Sequence, residues 1–339
     1  MTILVTGGLG YIGSHTVVEL LNNNFEVVII DDLSNTERFI LKNIEEITGK
    51  KPIFYPFDLK RKELLKQVFD AHQIEGCIHF AAYKAVGESQ VKPIDYYENN
   101  LFSLINLLQE MKERNISNFI FSSSCTVYGQ ADTMPIDENT PLKLPESSYG
   151  KTKQMGEEIL KDFAIAHQKK VTLLRYFNPI GAHPSAKLGE LPIGIPNNLV
   201  PYVMQTAAGI REKLSVWGND YPTEDGTAIR DYIYVVDLAK AHVKALQKLI
   251  FENSETVIDI YNLGTGKGSS VLEVVHAFEK ANDVAVPYQI CERRAGDITI
   301  AYANADKAEK ELGWKSETSL EEALRTVWQW QKYLETREI

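Results

Sequence analysis

At 339 residues and 44% hydrophobic, the chain can bury a large core and is long enough for two domains or one large domain with an annex. Its formal net charge of -10 argues against a general nucleic-acid or anionic-membrane surface, while leaving local clusters such as Arg293 and Arg294 free to hold an anionic ligand. Three widely spaced cysteines, Cys77, Cys125 and Cys291, have no metal-ligand spacing, and no apolar run reaches the 18 or so residues of a membrane span. With no basic start or cleavable apolar segment in MTILVTGGLG, a cytoplasmic protein without a metal centre is expected.

In chain order, TILVTGG reads as a buried strand running into glycines, YIGSHTVVELLNNN as a helix and FEVVIIDD as a second buried strand. KPIFYPFDL, CIHFAA, NFIFSSS and VTLLRYFN continue the alternation, separated by helix-like stretches around 61–72, 97–114 and 149–167. At least six parallel strands with covering helices predict an α/β, doubly wound parallel-sheet Rossmann domain. After Phe177 the Gly- and Pro-rich NPIGAHPSAKLGELPIGIPNN signals loops and smaller elements, a smaller mixed α/β domain, with a boundary near 178. VVDLAKAHVKALQKLI and TVIDIYNLG then read as a helix and strand suited to the first sheet, about 235–263, which would leave the second domain as about 179–234 and 264–339. GKGSSVLEVVHAFEKA and TSLEEALRTVWQWQKYL are late helices, in which Trp328 and Trp330 are expected to pack rather than bind.

Gly7, Gly10 and Gly13 form a G-x-x-G-x-x-G run between the first strand and helix. A tight turn, close approach to a pyrophosphate and close helix-to-sheet packing each need the missing side chain there, and the helix N-terminus offers oriented N–H groups. Asp31 ends the second strand 24 residues after Gly7, where a carboxylate can accept ribose hydroxyls and repel the extra phosphate of NADP, so NAD is the expected cofactor. Asp32 could share the role, and a turn or cap is the bland alternative for either. GTGKGSS at 264–270 lacks phosphate-loop spacing and reads as a turn before a helix.

Tyr149 and Lys153 lie four residues apart, on one face of a helix. Beside a nicotinamide, an ammonium would favour phenolate and make the tyrosine a base for an alcohol whose hydride leaves for NAD. Ser122, Ser123 and Ser124 fall at a strand's C-terminal end, and Ser124 is the hydroxyl best suited to stabilise the reacting oxygen.

GGLGYIGSH, FSSSCTVYG, SYGKTK, RYFNPIGAHP, GIPNNL, YPTEDGTAIRDYI and ERRAGD together resemble the UDP-glucose 4-epimerase family of extended short-chain dehydrogenase/reductases. The resemblance implies Tyr149 as base, Lys153 as its partner and cofactor ligand, and Ser124 near the sugar oxygen. It implies cofactor contacts from Tyr11 and Ile12, Asp31 and Asn35 at the adenosine, Asp58 and Leu59 near adenine, and Phe80, Ala81, Lys84 and Asn99 along the pyrophosphate and ribose. Asn178, Asn198, Leu199, Trp217, Arg230, Tyr232, Arg294 and Asp297 match positions contacting a UDP-sugar; of these, arginines suit a diphosphate by charge-assisted hydrogen bonding, whereas Arg293 is assigned to the surface. Ala301, in IAYANA, stands where relatives restricted to plain hexoses carry tyrosine, which implies room for an N-acetylated sugar. The family further implies a homodimer, formed by the helices before the serine strand and around Tyr149. Two other readings compete: a nucleotide-sugar 4,6-dehydratase, whose Asp-Glu pair is replaced here by Cys125 and Thr126, and a non-catalytic NAD-binding sensor.

Overall fold

The computed structural model describes residues 1–252, 257–294 and 297–337. In chain order the elements are β1 (Thr2–Thr6), α1 (Tyr11–Asn22), β2 (Glu26–Ile30), α2 (Phe39–Thr48), β3 (Ile53–Tyr55), α3 (Lys62–Ala71), β4 (Ile74–His79), α4 (Val86–Val91), α5 (Pro93–Glu113) and β5 (Asn118–Ser122). There follow α6 (Ser148–His167), β6 (Lys170–Tyr176), β7 (Asn178–Ile180), α7 (Leu199–Ala207), β8 (Leu214–Trp217), β9 (Ile229–Arg230), β10 (Tyr232–Tyr234) and α8 (Val235–Phe251). The chain closes with β11 (Ile258–Leu263), β12 (Ser269–Ser270), α9 (Val271–Asn282), β13 (Tyr288–Cys291), β14 (Ile300–Ala301), α10 (Asp306–Leu312) and α11 (Leu320–Glu335).

Seven parallel strands form one sheet in the order β11-β6-β5-β4-β1-β2-β3. Alternation along the strands sorts the core onto its two faces. Ile3, Val5, Val27, Ile29 and Ile120 join the side covered by α1, α2 and α8, whereas Leu4, Val28, Ile30, Phe119 and Phe121 join the side covered by α3, α5 and α6. A sheet buried on both faces needs apolar side chains at nearly every position, which is why its strands read as unbroken hydrophobic runs.

Several sequence expectations change in length. The third strand stops at Tyr55 because Pro56 cannot donate to a ladder. The helix expected over 97–114 begins at Pro93, whose fixed φ and missing N–H suit the first turn. The segment expected as a strand over 256–264 is a strand from Ile258 to Leu263 and pairs in parallel with β6; Thr256 lies outside the described residues. The Gly- and Pro-rich region past Phe177 supplies short pairs, β7 with β10, β9 with β12 and β14, and β8 with β13. Among the described residues no helix is long and apolar enough to cross a membrane.

Parallel strands put all their C-terminal ends on one edge of the sheet. The strand order reverses between β1 and β4, opening the crevice in which such folds seat ligands. Gly7, Asp31, Asp58, Phe80, Ser122 to Ser124 and Asn178 follow successive strands along that edge.

Candidate active site

The glycine loop has the shape its spacing predicts. Gly7 has φ +67, and a Cβ there would meet the Ala81 backbone nitrogen at 2.7 Å; a Cβ on Gly13 would lie 2.2 Å from the Gly7 carbonyl oxygen. Only glycine therefore lets α1 start so close to β1, with Gly10 as its N-cap and no side chain over the amide groups. Asp31 ends the adjacent strand, buried, and accepts hydrogen bonds from Leu9 N and Leu33 N, each at 3.0 Å. Burial raises its pKa while those amides oppose the rise. A side-chain-free cradle beside a buried carboxylate fits a dinucleotide.

Around it, Phe80 N and Ala81 N both donate to the Thr6 carbonyl, and the Phe80 ring packs 4.8 Å from that of His242. Tyr11 donates its hydroxyl to the Gly181 carbonyl at 2.7 Å, and Ile12 packs against the core. Asp58 receives Lys60 N at 2.8 Å, and the Leu59 carbonyl accepts from Asn106 Nδ2 at 3.1 Å, so both have structural partners too. Asn35 is exposed just beyond Asp31. Asn99 donates to Asn100 Oδ1 at 3.1 Å, and Asn100 in turn receives Tyr83 N at 2.8 Å and donates to Thr152 Oγ1 at 2.9 Å, fixing the loop after β4 against α6.

Tyr149 and Lys153 lie in the first two turns of α6, whose N-terminus is capped by Ser147 Oγ accepting from Gly150 N at 3.1 Å. Lys153, 4% exposed, donates to the Ser122 carbonyl at 2.6 Å and lies 4.9 Å from the Phe121 ring centroid and 5.9 Å from that of Tyr149. Burial pushes the lysine down to about 7, with Glu157 pulling the other way. Burial likewise drives the Tyr149 phenol well above its ordinary value, and the hydrogen bond from the Ser124 side chain works against that rise. Phenolate was expected beside an ammonium and a nicotinamide together; in the chain alone burial is the largest influence on the phenol. Ser124 caps a short turn over Cys125–Tyr128, its Oγ accepting from Thr126 N at 3.2 Å. Cys125, with its thiol pushed up to about 12 by burial, and Thr126 occupy that turn, so the two positions after Ser124 carry no carboxylate.

Arg230 and Asp297 form a second centre. Arg230 Nη2 donates to Asp297 Oδ1 at 2.7 Å, Arg294 lies 3.7 Å from the other carboxylate oxygen, and the Arg294 guanidinium sits 5.6 Å from the half-exposed Trp217 ring. Ala301 is paired in register with Arg230, and Tyr232 with Asn178, whose backbone N donates to the Asp231 carbonyl. Asn198 precedes α7 and donates to Glu190 Oε1 at 2.8 Å, while Leu199 opens that helix against the core. Ala295 and Gly296 of ERRAGD lie outside the described residues. Arg293 binds Asp220 Oδ1 at 2.6 Å and covers the Tyr221 ring.

Three features of the site have no counterpart in the sequence reading. Glu157, one turn past Lys153, is fully buried and forms a two-pronged ion pair with Arg175, 2% exposed; Ser123 Oγ donates to the same carboxylate at 2.6 Å. Arg175 also donates to Tyr128 OH at 3.0 Å, which donates to Asn262 Oδ1 at 2.7 Å. Tyr176 hydrogen-bonds Ser122 Oγ, and Glu190 accepts from both Lys84 and Asn198. The available signals were a carboxylate at helical spacing from Lys153 and an arginine inside an apolar strand. The GTGKGSS segment is anchored by buried Asp231, which accepts from Thr265 N at 2.8 Å and Ala303 N at 3.1 Å, and Ser270 then caps α9 in a capping box. Trp330 is buried and Trp328 packs edge-on against Phe278. Among the described residues there is no cluster of acidic, histidine or cysteine side chains suited to a metal.

The family model described as GDP-mannose 4,6 dehydratase matches residues 4–327. A UDP-glucose 4-epimerase of Bacillus subtilis (strain 168) is 53% identical over 332 residues, covering 98% of this chain and 97% of the relative. The crystal structure of UDP-glucose 4-epimerase from Bifidobacterium longum in complex with NAD+ and UDP superposes with a TM-score of 0.94 at 48% identity, covering 98% of each chain. The UDP-Glc/GlcNAc 4-epimerase from the human pathogen Campylobacter jejuni follows with a TM-score of 0.84 at 34% identity, covering 98% of this chain and 99% of its own.

Lys153 predicts a pH dependence of stability. Its pKa of about 7 in the folded chain lies below the ordinary lysine value, so between about pH 7 and 10 the unfolded chain binds a proton that the folded one does not. The contribution is complete above the unfolded value and is lost as pH falls towards 7. Urea unfolding across that range should show the protein gaining stability relative to Lys153→Met, with a slope of up to about 1.4 kcal/mol per pH unit. A difference independent of pH would contradict the buried, proton-poor lysine.

Proposed function

Since the chain belongs to the nucleotide-sugar family matched by that model and, within it, to the UDP-glucose 4-epimerases, we infer that it interconverts UDP-glucose and UDP-galactose by reversible inversion at C4, using NAD. The observation that carries the residue-level reading is Ser124, Tyr149 and Lys153 gathered at the C-terminal edge of β5 beside the glycine cradle. The loop Gly7, Gly10, Tyr11, Ile12 and Gly13 holds the pyrophosphate; Asp31 and Asn35 take the adenosine, Asp58 and Leu59 flank adenine, and Phe80, Ala81, Lys84 and Asn99 line the remainder. NAD held there would supply a reversible hydride acceptor for C4, leaving substrate and product at the same oxidation state.

Tyr149 takes the 4-hydroxyl proton as the 4-ketose forms and returns it on the way back. Burial raises its phenol, so positive charge from Lys153 and a bound nicotinamide would be what makes it a competent base. Ser124 Oγ steadies the oxygen as it passes between alcohol and ketone. Lys153 holds the cofactor ribose and is itself oriented by the Ser122 carbonyl.

Inversion requires the ketose to present both faces in turn, so the binding residues divide into two groups. Arg230, Arg294 and Asp297 with Trp217, Tyr232, Asn178, Asn198 and Leu199 anchor the UDP moiety, while the hexose chamber stays loosely lined. Ala301, beside Arg230, leaves space on the sugar's side for an acetamido group, so that UDP-N-acetylglucosamine is a second substrate. The 4,6-dehydratase reading is favoured by the description of the matching family model, but Cys125 and Thr126 offer no acid for eliminating water. Intact Ser124, Tyr149 and Lys153 likewise weigh against a non-catalytic sensor.

The protein is a homodimer through α5 and α6, which pack side by side and expose Ile94, Phe102, Met155 and Ile165. A cytoplasmic location suits its three free cysteines, and recovery from an oxidising compartment on cell fractionation would refute it.

Tyr149→Phe should fold and keep its NAD but lose about 10²- to 10⁴-fold in turnover, measured by coupled assay; near-normal turnover would defeat the proton-transfer role. Ala301→Tyr should reduce activity on UDP-N-acetylglucosamine about tenfold more than on UDP-glucose, and equal losses would show that position 301 is not the size gate. Light scattering should find a dimer that Phe102→Asp converts to a monomer of half the mass, whereas a dimer unaffected by the substitution would place the interface elsewhere.

A further inference from the structure

Glu190 belongs to the irregular Gly- and Pro-rich segment, yet its surroundings are rigid. The preceding Gly189 lies flat against Trp330, where a Cβ would come within 2.5 Å of the indole, and the Glu190 carbonyl accepts from Trp330 Nε1 at 3.0 Å. Trp330 in turn stacks with Phe39 and with Tyr333. From this platform the carboxylate, 13% exposed, reaches two residues on different segments with one oxygen: Oε1 accepts from Lys84 Nζ at 3.1 Å and from Asn198 Nδ2 at 2.8 Å. Lys84 also lies 5.9 Å from the centroid of the Tyr11 ring, in the glycine loop.

We propose that Glu190 is a positioning residue that joins the cofactor and nucleotide-sugar sites, its single oxygen orienting Lys84 on one side and the Asn198 amide on the other. This rests on the functional reading above, in which Lys84 faces the dinucleotide and Asn198 the UDP-sugar. An ammonium has three hydrogens and an amide nitrogen two, so each donor can spend one on Glu190 and still offer another to its ligand. Fixing the donors beforehand removes rotamer freedom that binding would otherwise have to remove, and a shared acceptor makes the two placements interdependent. The contribution is to binding rather than to the chemical step.

The test is steady-state kinetics of the holoenzyme with UDP-galactose for the wild type, Glu190→Ala, Glu190→Gln, Asn198→Ala and the double variant Glu190→Ala with Asn198→Ala. Losing the hydrogen bond that orients Asn198, together with that to Lys84, should raise KM about tenfold in Glu190→Ala, with kcat within about twofold. Glutamine keeps an acceptor for Asn198 and should bring KM back to within about threefold of the wild type. Asn198→Ala should add little in the Glu190→Ala background, because the amide is already unanchored. Additive effects, an equally impaired Glu190→Gln, or a fall in kcat at unchanged KM would overturn the proposal. If Glu190→Ala does not fold, Glu190→Leu takes its place in the same cycle. A wild type that binds UDP and epimerises while the cycle is additive sinks only the role of Glu190, whereas a wild type that does neither sinks the functional reading itself.

Discussion

The bond from Lys153 Nζ to the Ser122 carbonyl is the contact on which the site depends. A buried ammonium is costly unless it is hydrogen-bonded, and this carbonyl, at the C-terminal end of a central strand, supplies the acceptor at 2.6 Å. The bond ties the first turns of α6 to β5, and thereby sets Tyr149 on one side of the strand end and Ser124 just beyond it. One turn further along the helix, Glu157 is held by Arg175 and Ser123, so the same helix face is fastened to β5 and β6 together. Breaking a buried pair of this kind by removing one partner leaves an uncompensated charge, and such losses run to about 3–5 kcal/mol. The network therefore gives the catalytic helix little freedom to shift against the sheet.

Beside that rigid half stands a charged centre on short strands. The Arg230 and Arg294 guanidiniums, held around Asp297, suit the charged diphosphate, and Trp217 offers an aromatic surface braced by Arg294. Ala301, next to Arg230 on the short three-stranded sheet, presents only a methyl group. Burial of Tyr149 raises its phenol, so proton transfer through it calls on compensating positive charge.

Much of this was legible in the sequence because the informative residues are local. Gly7, Gly10 and Gly13 act within one turn, Asp31 marks the end of a strand visible as an apolar run, and Tyr149 and Lys153 share a helix face by spacing alone. Lengths were less legible: a single proline cut β3 short, and another moved the start of α5 forward. The contacts of Glu157 with Arg175 and of Glu190 with Lys84 and Asn198 were not legible, since they join segments 8 to 106 residues apart whose meeting is decided by tertiary packing. The same holds for Asp231, which anchors the glycine-rich turn at 264–266 through the Thr265 and Gly266 amides. Desolvation was the physical term that spacing could not reveal, and it raises the Tyr149 phenol in the chain alone.

The most direct test of the account is a proton NMR time course of the purified protein with UDP-galactose, following the anomeric and C6 signals. The account predicts that the anomeric signal of UDP-glucose grows as that of UDP-galactose declines, that the mixture settles at the same ratio when started from UDP-glucose, and that the C6 hydroxymethyl signals persist. Appearance of a C6 methyl signal would mean that water is eliminated despite Cys125 and Thr126, and unchanged spectra after addition of NAD would mean that the constellation around Tyr149 does not turn over these sugars.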